Sequence, residues 1–137
     1  MISPPASKDT GAEAIDVERE AAMPIRLKRI YEPKQDDDGF RILVDKLWPR
    51  GVDKQEAGID LWLKDVAPSP ELRRWFDHDP NKWAEFQRRY SEELQRNEPA
   101  VAALRERVKA EGKVTFLYAA KDTEHNHAIV LRDVLLR

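Results

Sequence analysis

Apolar and polar positions alternate or run together in several short segments that predict β-strands. Residues 25–31 alternate apolar with basic side chains, which is typical of a half-buried strand at the edge of a sheet. Within residues 40–47, consecutive apolar residues put hydrophobic side chains on both faces, as in a central strand covered on two sides. Residues 114–119 form the clearest strand pattern, and residues 60–66 form either a short strand or an extended segment.

The remaining segments carry the residue spacing of helices. The clearest helical face consists of Trp83, Phe86, Tyr90 and Leu94. These side chains recur every three or four residues, which places them on one side of a helix. Ser69 and Asp79 are each followed by proline, and a capping side chain before proline marks a helix start. We predict helices over residues 71–76, from 80, from 98, and from about Glu124 to the last residue.

The order of these elements predicts an α/β fold. The strand at 114–119 follows several helices, so it should lie parallel to a neighbouring strand. We predict one domain over residues 23–137, a small three-layer sandwich with a mostly parallel sheet flanked by helices. Residues 1–22 are rich in Ser, Pro, Ala and Glu and contain no aromatic residue, so we predict a disordered N-terminal tail.

The amino-acid composition makes several classes of function improbable or excludes them. The chain has 24 Lys and Arg against 26 Asp and Glu, a balance that disfavours a nucleic-acid partner. It has no cysteine, which excludes disulfides, thiolate catalysis and cysteine-based zinc sites. We find no apolar run long enough for a membrane span and no signal-peptide pattern, so we expect a cytoplasmic protein without a membrane partner. The aspartates at 36–38 predict a solvated turn, because a calcium loop needs spaced ligands.

Polar residues follow two of the predicted strands. Trp48-Pro49-Arg50-Gly51 ends one strand, and the segment from Lys121 to His127 follows another. Open α/β sheets bind ligands where their parallel strands end. We therefore predict a ligand site there, with Arg50 and Lys121 flanking an anion. The predicted ligand-binding residues are Trp48, Arg50, Lys121 and Asn126.

An alternative is that Arg50 and Lys121 form ion pairs with Asp45, Asp122 or Glu124 and only stabilise the two turns. His127 is the candidate general acid or base, because imidazole exchanges protons near neutral pH. Asp122 could orient a histidine, or it could cap the last helix together with Thr123. His125 and His127 diverge by about 200° on a helix, so we predict no metal site. The identity of any cofactor and the oligomeric state stay open.

Several strings between residues 25 and 137 match a known protein family. The most specific are Leu-Trp-Pro-Arg-Gly at 47–51 and Lys-Asp-x-x-x-Asn-His-Ala at 121–128. They resemble domain-of-unknown-function family 488, in its YeaO-like branch. The resemblance implies an α/β, bacterial-type cytoplasmic protein and brings no activity with it. Its matching polar positions are Arg50, Lys121, Asp122, Asn126 and His127.

Together these features favour a protein that binds an anionic small molecule, nucleotide- or phosphate-like, where the strands end. One alternative is a hydrolase or transferase that uses His127 and Asp122 as acid and base. Another is a nucleic-acid or protein interaction module without catalysis. Whether the protein is an enzyme stays open.

Overall fold

A computed structural model describes residues 25–137, in which four parallel strands form one sheet. The strands are β1 (Ile25–Arg29), β2 (Phe40–Leu43), β3 (Leu61–Trp62) and β4 (Val114–Tyr118). The α-helices of these residues are α1 (Lys54–Ala57), α2 (Pro70–Phe76), α3 (Trp83–Arg96), α4 (Glu98–Glu111) and α5 (His127–Leu136). The predicted α/β class is confirmed, and the predicted tail at 1–22 lies outside the described residues.

The order of strands in the sheet is β1-β4-β2-β3, and each neighbouring pair is parallel. The most hydrophobic strand, β4, is buried along its whole length and lies between β1 and β2. Phe116 at its centre is aligned with Leu27 of β1 and Ile42 of β2. Because β4 is the last strand in sequence, the segment that follows it emerges between the ends of two earlier strands.

The two faces of the sheet are covered differently. Alternate residues of β4, such as Phe116, belong to the main core, to which helices α2 to α5 contribute. Leu117, one residue later, belongs to a smaller apolar cluster with Leu43, Ile30 and Ile59. The chain between β2 and β3 covers this second face, and its contacts include Ala57 of α1. The sheet therefore has helices on both sides, with most of the helical mass on one.

Two helix starts confirm the capping prediction. The Ser69 hydroxyl accepts a hydrogen bond from Leu72 N–H, and Pro70 begins α2. Asp79 accepts from Asn81 N–H and opens a short 3₁₀ turn, Pro80–Lys82, which leads directly into α3. In each case a local side chain satisfies a backbone N–H group that the first helical turn leaves free.

Two predicted boundaries were wrong. The last helix begins at His127 and not near Glu124, because Asn126 caps it by accepting from Ile129 N–H. The preceding residues form a turn in which Asp122 accepts from the N–H groups of Glu124 and His125. Residues 60–66 were predicted as a short strand or an extended segment; the short strand is confirmed, but it covers only Leu61–Trp62 and is followed by a 3₁₀ turn, Lys64–Val66.

The acidic turn before β2 is exposed at Asp36 and Asp37, as predicted for a solvated turn, but the prediction was wrong for Asp38, which is fully buried. Its carboxylate forms ion pairs with Lys28 of β1 and Arg41 of β2. The Arg41 guanidinium also donates to the carbonyls of Ala57 and Gly58, which fastens the chain after α1 to the sheet. A buried carboxylate is tolerated here because cationic partners from two strands surround it.

These contacts set the acid titration of Asp38. Burial by itself raises the pKa of the carboxyl, but hydrogen bonds from Gln35 N–H, Lys28 and Arg41 outweigh burial and lower the pKa to about 2. The unfolded chain has the ordinary value, 3.8. The stabilisation from the ionised carboxylate is therefore fully present above about pH 4 and is lost as the pH falls towards 2.

We predict that Asp38→Asn lowers the free energy of unfolding by about 3–5 kcal/mol at pH 7, because it leaves Lys28 and Arg41 without their buried counter-charge. Urea unfolding of wild type and variant between pH 7 and pH 2.5 measures the difference. The difference in the free energy of unfolding between wild type and Asp38→Asn should become smaller below pH 4. Asp37→Asn, which removes a neighbouring exposed carboxylate, is the control and should change stability little. A difference that stays constant down to pH 2.5 would contradict this assignment.

Candidate functional site

The candidate site lies at the carboxyl edge of the sheet, which we define as residues 30–32, 44–51 and 119–127. Backbone pairing continues past the strands into this edge. Ile30 N–H donates to Tyr118 O at 2.8 Å, and Val44 N–H donates to Leu117 O at 3.1 Å. The segments that leave β1, β2 and β4 therefore start side by side, as the sequence predicted for the two polar strings.

One carboxylate joins two of these segments, 44–51 and 119–127. Asp45, just after β2, accepts from Ala119 N–H with Oδ2 at 3.0 Å. Its Oδ1 lies 2.9 Å from Nε2 of His127, the first residue of α5. The Asp45 and His127 side chains are only 14% and 15% exposed. The ends of β2 and β4 and the start of α5 are thus fixed to one another.

The contacts of His127 assign its tautomer. Nε2 also lies 3.1 Å from the carbonyl oxygen of Val44. Because both groups that face Nε2 are acceptors, we assign a hydrogen to this nitrogen. The N–H bond is directed at Val44 O, and Asp45 Oδ1 faces the same nitrogen without receiving that hydrogen bond.

The ring of Tyr90 packs against this imidazole. The Tyr90 ring centre lies 6.5 Å from that of His127, and the Tyr90 hydroxyl donates to Val66 O. Complete burial raises the pKa of Tyr90 well above its usual value, so the hydroxyl stays a donor. This contact packs His127 against α3, and the Tyr90 hydroxyl is already used in its bond to Val66 O.

Asp122, predicted as the catalytic partner of His127, contacts His125 instead. Its Oδ2 lies 2.9 Å from Nδ1 of His125, whose ring packs edge-on against Trp83. The hydrogen bonds from Glu124 N–H and from His125 lower the pKa of Asp122. The carboxylate that faces His127 is Asp45. The sequence signal for Asp45 was its position directly after a central strand, at the same edge as the second polar string.

Asn126, predicted to bind a ligand, is buried and uses both ends of its amide within the chain. Its Oδ1 accepts from Ile129 N–H at 3.3 Å, and its Nδ2 donates to Asp122 O at 3.0 Å. These bonds define the turn before α5. They give Asn126 a structural task at the carboxyl edge, so any contact with a ligand would be additional.

Arg50 and Lys121 are both exposed. Neither side chain forms an ion pair or hydrogen bond with another residue of the described range, so the predicted alternative of pairing with neighbouring carboxylates is not observed there. Both turns are instead attached to the end of β1. Arg50 O accepts from the Tyr31 hydroxyl at 3.0 Å, and Arg29 donates to Ala120 O at 2.9 Å, just before Lys121.

The sequence reasoning missed Arg29, the last residue of β1, as a cation that contacts this edge. Its guanidinium donates to the last two carbonyls before Lys121 and stacks on the Tyr31 ring, 5.2 Å from the ring centre. Its position as the last residue of β1 was the available signal. Through Arg29 and Tyr31, one short segment touches both turns that carry the predicted anion ligands.

Trp48 lines a groove beside the carboxyl edge. The groove has a volume of about 450 Å³ and is lined by Trp48, Lys54, Ile59, Asp60, Leu61 and Trp62. The two indoles meet edge to face, with ring centres 5.2 Å apart. Trp48 and Arg50 therefore occupy the same turn, with the tryptophan against the groove and the arginine at the solvent.

Two further properties concern only the part of the chain seen in the structure. Within residues 25–137, no group of three or more His, Asp or Glu side chains is placed to hold a metal ion. None of the helices formed by these residues is both long enough and apolar enough to cross a membrane.

The family assignment follows from comparison of the whole chain with known proteins. The family model described as "Inactive DUF488-N3 subclade" matches residues 24–137. The chain belongs to this subclade. The resemblance carried by the two polar strings is thereby confirmed, and both strings contribute to the carboxyl edge of this DUF488 domain.

The matches to its relatives cover nearly the full length of those proteins. Uncharacterized protein YeaO of Escherichia coli (strain K12) is 43% identical over 113 residues, which are 82% of this chain and 97% of YeaO. Uncharacterized protein Rv3073c of Mycobacterium tuberculosis (strain ATCC 25618 / H37Rv) is 43% identical over 111 residues, 81% of this chain and 92% of the relative. No solved structure matches the chain.

We predict that a double-mutant cycle couples His127 to Asp45 and not to Asp122. For Asp45→Ala with His127→Ala, the coupling in the free energy of unfolding should lie between about 0.5 and 3 kcal/mol, because the side chains are in contact. For Asp122→Ala with His127→Ala, it should stay within about 0.5 kcal/mol. Urea unfolding at pH 7 provides both values. Equal couplings, or a larger one to Asp122, would show that the pairing is wrong.

Proposed function

We propose that this DUF488 domain binds an anionic small molecule, nucleotide- or phosphate-like, at the carboxyl edge of the sheet and does not turn it over. The observation that carries the proposal is the pair Arg50 and Lys121. Both are exposed cations, on turns attached to the end of β1, and neither is neutralised by a residue in the described range. Cations with free hydrogen-bond donors are suited to carboxylate and phosphate groups.

Local contacts within the chain hold both turns that carry these cations. Pro49 is buried beside Arg50, Gly51 supplies a positive φ of 74°, and Tyr31 holds the Arg50 carbonyl. On the other side, Asn126 and Asp122 fix the turn that follows Lys121. A preformed site loses less conformational entropy on binding, which favours affinity for a small ligand. The balanced charge of the chain supports a small molecule over a nucleic acid.

Binding without turnover is supported by what the candidate acid–base groups already do. His127 Nε2 is directed at Val44 O and faces Asp45. The Ser69 hydroxyl donates to Glu93 at 2.6 Å and caps α2. The description of the matched subclade as inactive supports the same reading.

A hydrolase or transferase is the second candidate, and the Asp45–His127 contact favours it. A carboxylate that orients an imidazole is the usual support for a general base. In this version Asp45 replaces Asp122 as the orienting group, and Nδ1 of His127 would exchange the proton. Turnover of an anionic substrate that is abolished by His127→Ala, with binding retained, would establish this candidate over the first.

We predict that Arg50→Ala and Lys121→Ala each weaken binding of ribose 5-phosphate about tenfold, because each removes a charge-assisted hydrogen bond. Isothermal titration calorimetry of wild type and variants measures the affinities. Lys113→Ala is the matched control, since it removes an exposed lysine before the other end of β4. Equal weakening by Lys113→Ala, or no binding by the wild type to ribose 5-phosphate or any other phosphate tested, would contradict the proposal.

A further inference from the structure

The groove beside the carboxyl edge has the size of a small-molecule site. Its volume of about 450 Å³ falls within the range of about 300–1,000 Å³ that such pockets span. Strand β3, at the edge of the sheet, forms one side, and the chain from Trp48 to α1 forms the other. The groove is not needed to explain the binding of a bare anion by Arg50 and Lys121.

Its aromatic walls are held in fixed orientations by their own polar atoms. Trp48 Nε1–H donates to Val52 O at 2.9 Å, and Trp62 Nε1–H donates to Asp45 O at 2.8 Å. Since both indole N–H groups are used inside the chain, an occupant would contact the carbon surfaces of the rings. The surfaces available are those left uncovered by the Trp48–Trp62 contact and by Lys64, whose Nζ lies 5.0 Å from the Trp62 ring centre. A nucleobase stacks well on such a surface, because every base has a flat π-face.

Two charged side chains complete the lining. Asp60 accepts from Arg41 N–H with Oδ2 at 2.8 Å, while its Oδ1 has no hydrogen bond to any residue in the described range. Lys54, at the start of α1, forms no ion pair with another described residue. The groove thus combines apolar ring surfaces with one available acceptor and one available donor. A planar heteroaromatic ring carrying both donors and acceptors matches this combination better than a hydrocarbon does.

The groove and the candidate anion site share their supports. The Trp48–Val52 hydrogen bond closes the turn that presents Arg50. The Trp62 hydrogen bond ends on the backbone of Asp45, whose carboxylate faces His127. A ligand that lies across the Trp48 turn could therefore place a ring in the groove and an anionic group beside Arg50.

We infer that the groove between Trp48 and Trp62 binds the base of a nucleotide whose phosphate is bound by Arg50 and Lys121. The inference rests on the proposed function, because it assigns a chemical class to the ligand of that same edge. A base site in the groove would favour a nucleotide over a sugar phosphate or inorganic phosphate, because only the nucleotide has a base.

The test compares the four ribonucleoside 5′-monophosphates with ribose 5-phosphate by isothermal titration calorimetry on the full chain. At least one nucleotide should bind about tenfold more tightly than ribose 5-phosphate, as expected from one stacked base. Trp48→Phe and Lys54→Ala should each reduce this affinity ratio about fivefold. Gln55→Ala, the next residue of α1 and not part of the groove lining, should leave the ratio unchanged.

The possible outcomes distinguish failure of the base site from failure of the anion site. Equal affinities for nucleotides and ribose 5-phosphate would overturn the base site, and so would an affinity ratio that Lys54→Ala and Trp48→Phe leave unchanged. In both cases Arg50-dependent binding of ribose 5-phosphate would leave the anion site standing. Absence of binding by every phosphate compound would overturn both. Lys54 is exposed, so its variant tests the groove even if Trp48→Phe does not fold.

Discussion

The arrangement of the carboxyl edge depends on the carboxylate of Asp45. One oxygen accepts from the backbone after β4, and the other faces the imidazole at the start of α5. These contacts join the turn after β2 directly to the turn after β4. The Asp45 side chain is only 14% exposed, and its hydrogen bond from Ala119 N–H joins two segments that are 74 residues apart in sequence.

The order of the strands decides which segments meet at the carboxyl edge. Since β4 lies between β1 and β2, the segment carrying Lys121 emerges beside the ends of both. Arg29 and Tyr31 then fasten the two cationic turns to the end of β1. The buried ion pairs of Asp38 lie before β2, at the opposite end of the sheet from Arg50 and Lys121, which are exposed at the carboxyl edge.

The sequence predicts the parts of this structure that depend on local patterns. The parallel sheet, the cap at Ser69 and the location of the candidate site follow from periodicity, capping residues and the position of polar strings after strands. The pairing of His127 with Asp45 does not follow, because it joins residues that only the tertiary fold brings together, whereas Asp122 is close in sequence. The burial of Asp38 was missed for the same reason, since its partners lie on two strands.

The central claim is that the turns after β2 and β4 form one anion-binding surface. Backbone amide chemical shifts during a titration with ribose 5-phosphate test it most directly. The account predicts the largest shifts at Gly51 and Lys121, with one common dissociation constant, and their loss in Arg50→Ala. Shifts of different affinity at the two turns, or shifts centred near Lys113 at the opposite end of β4, would contradict it.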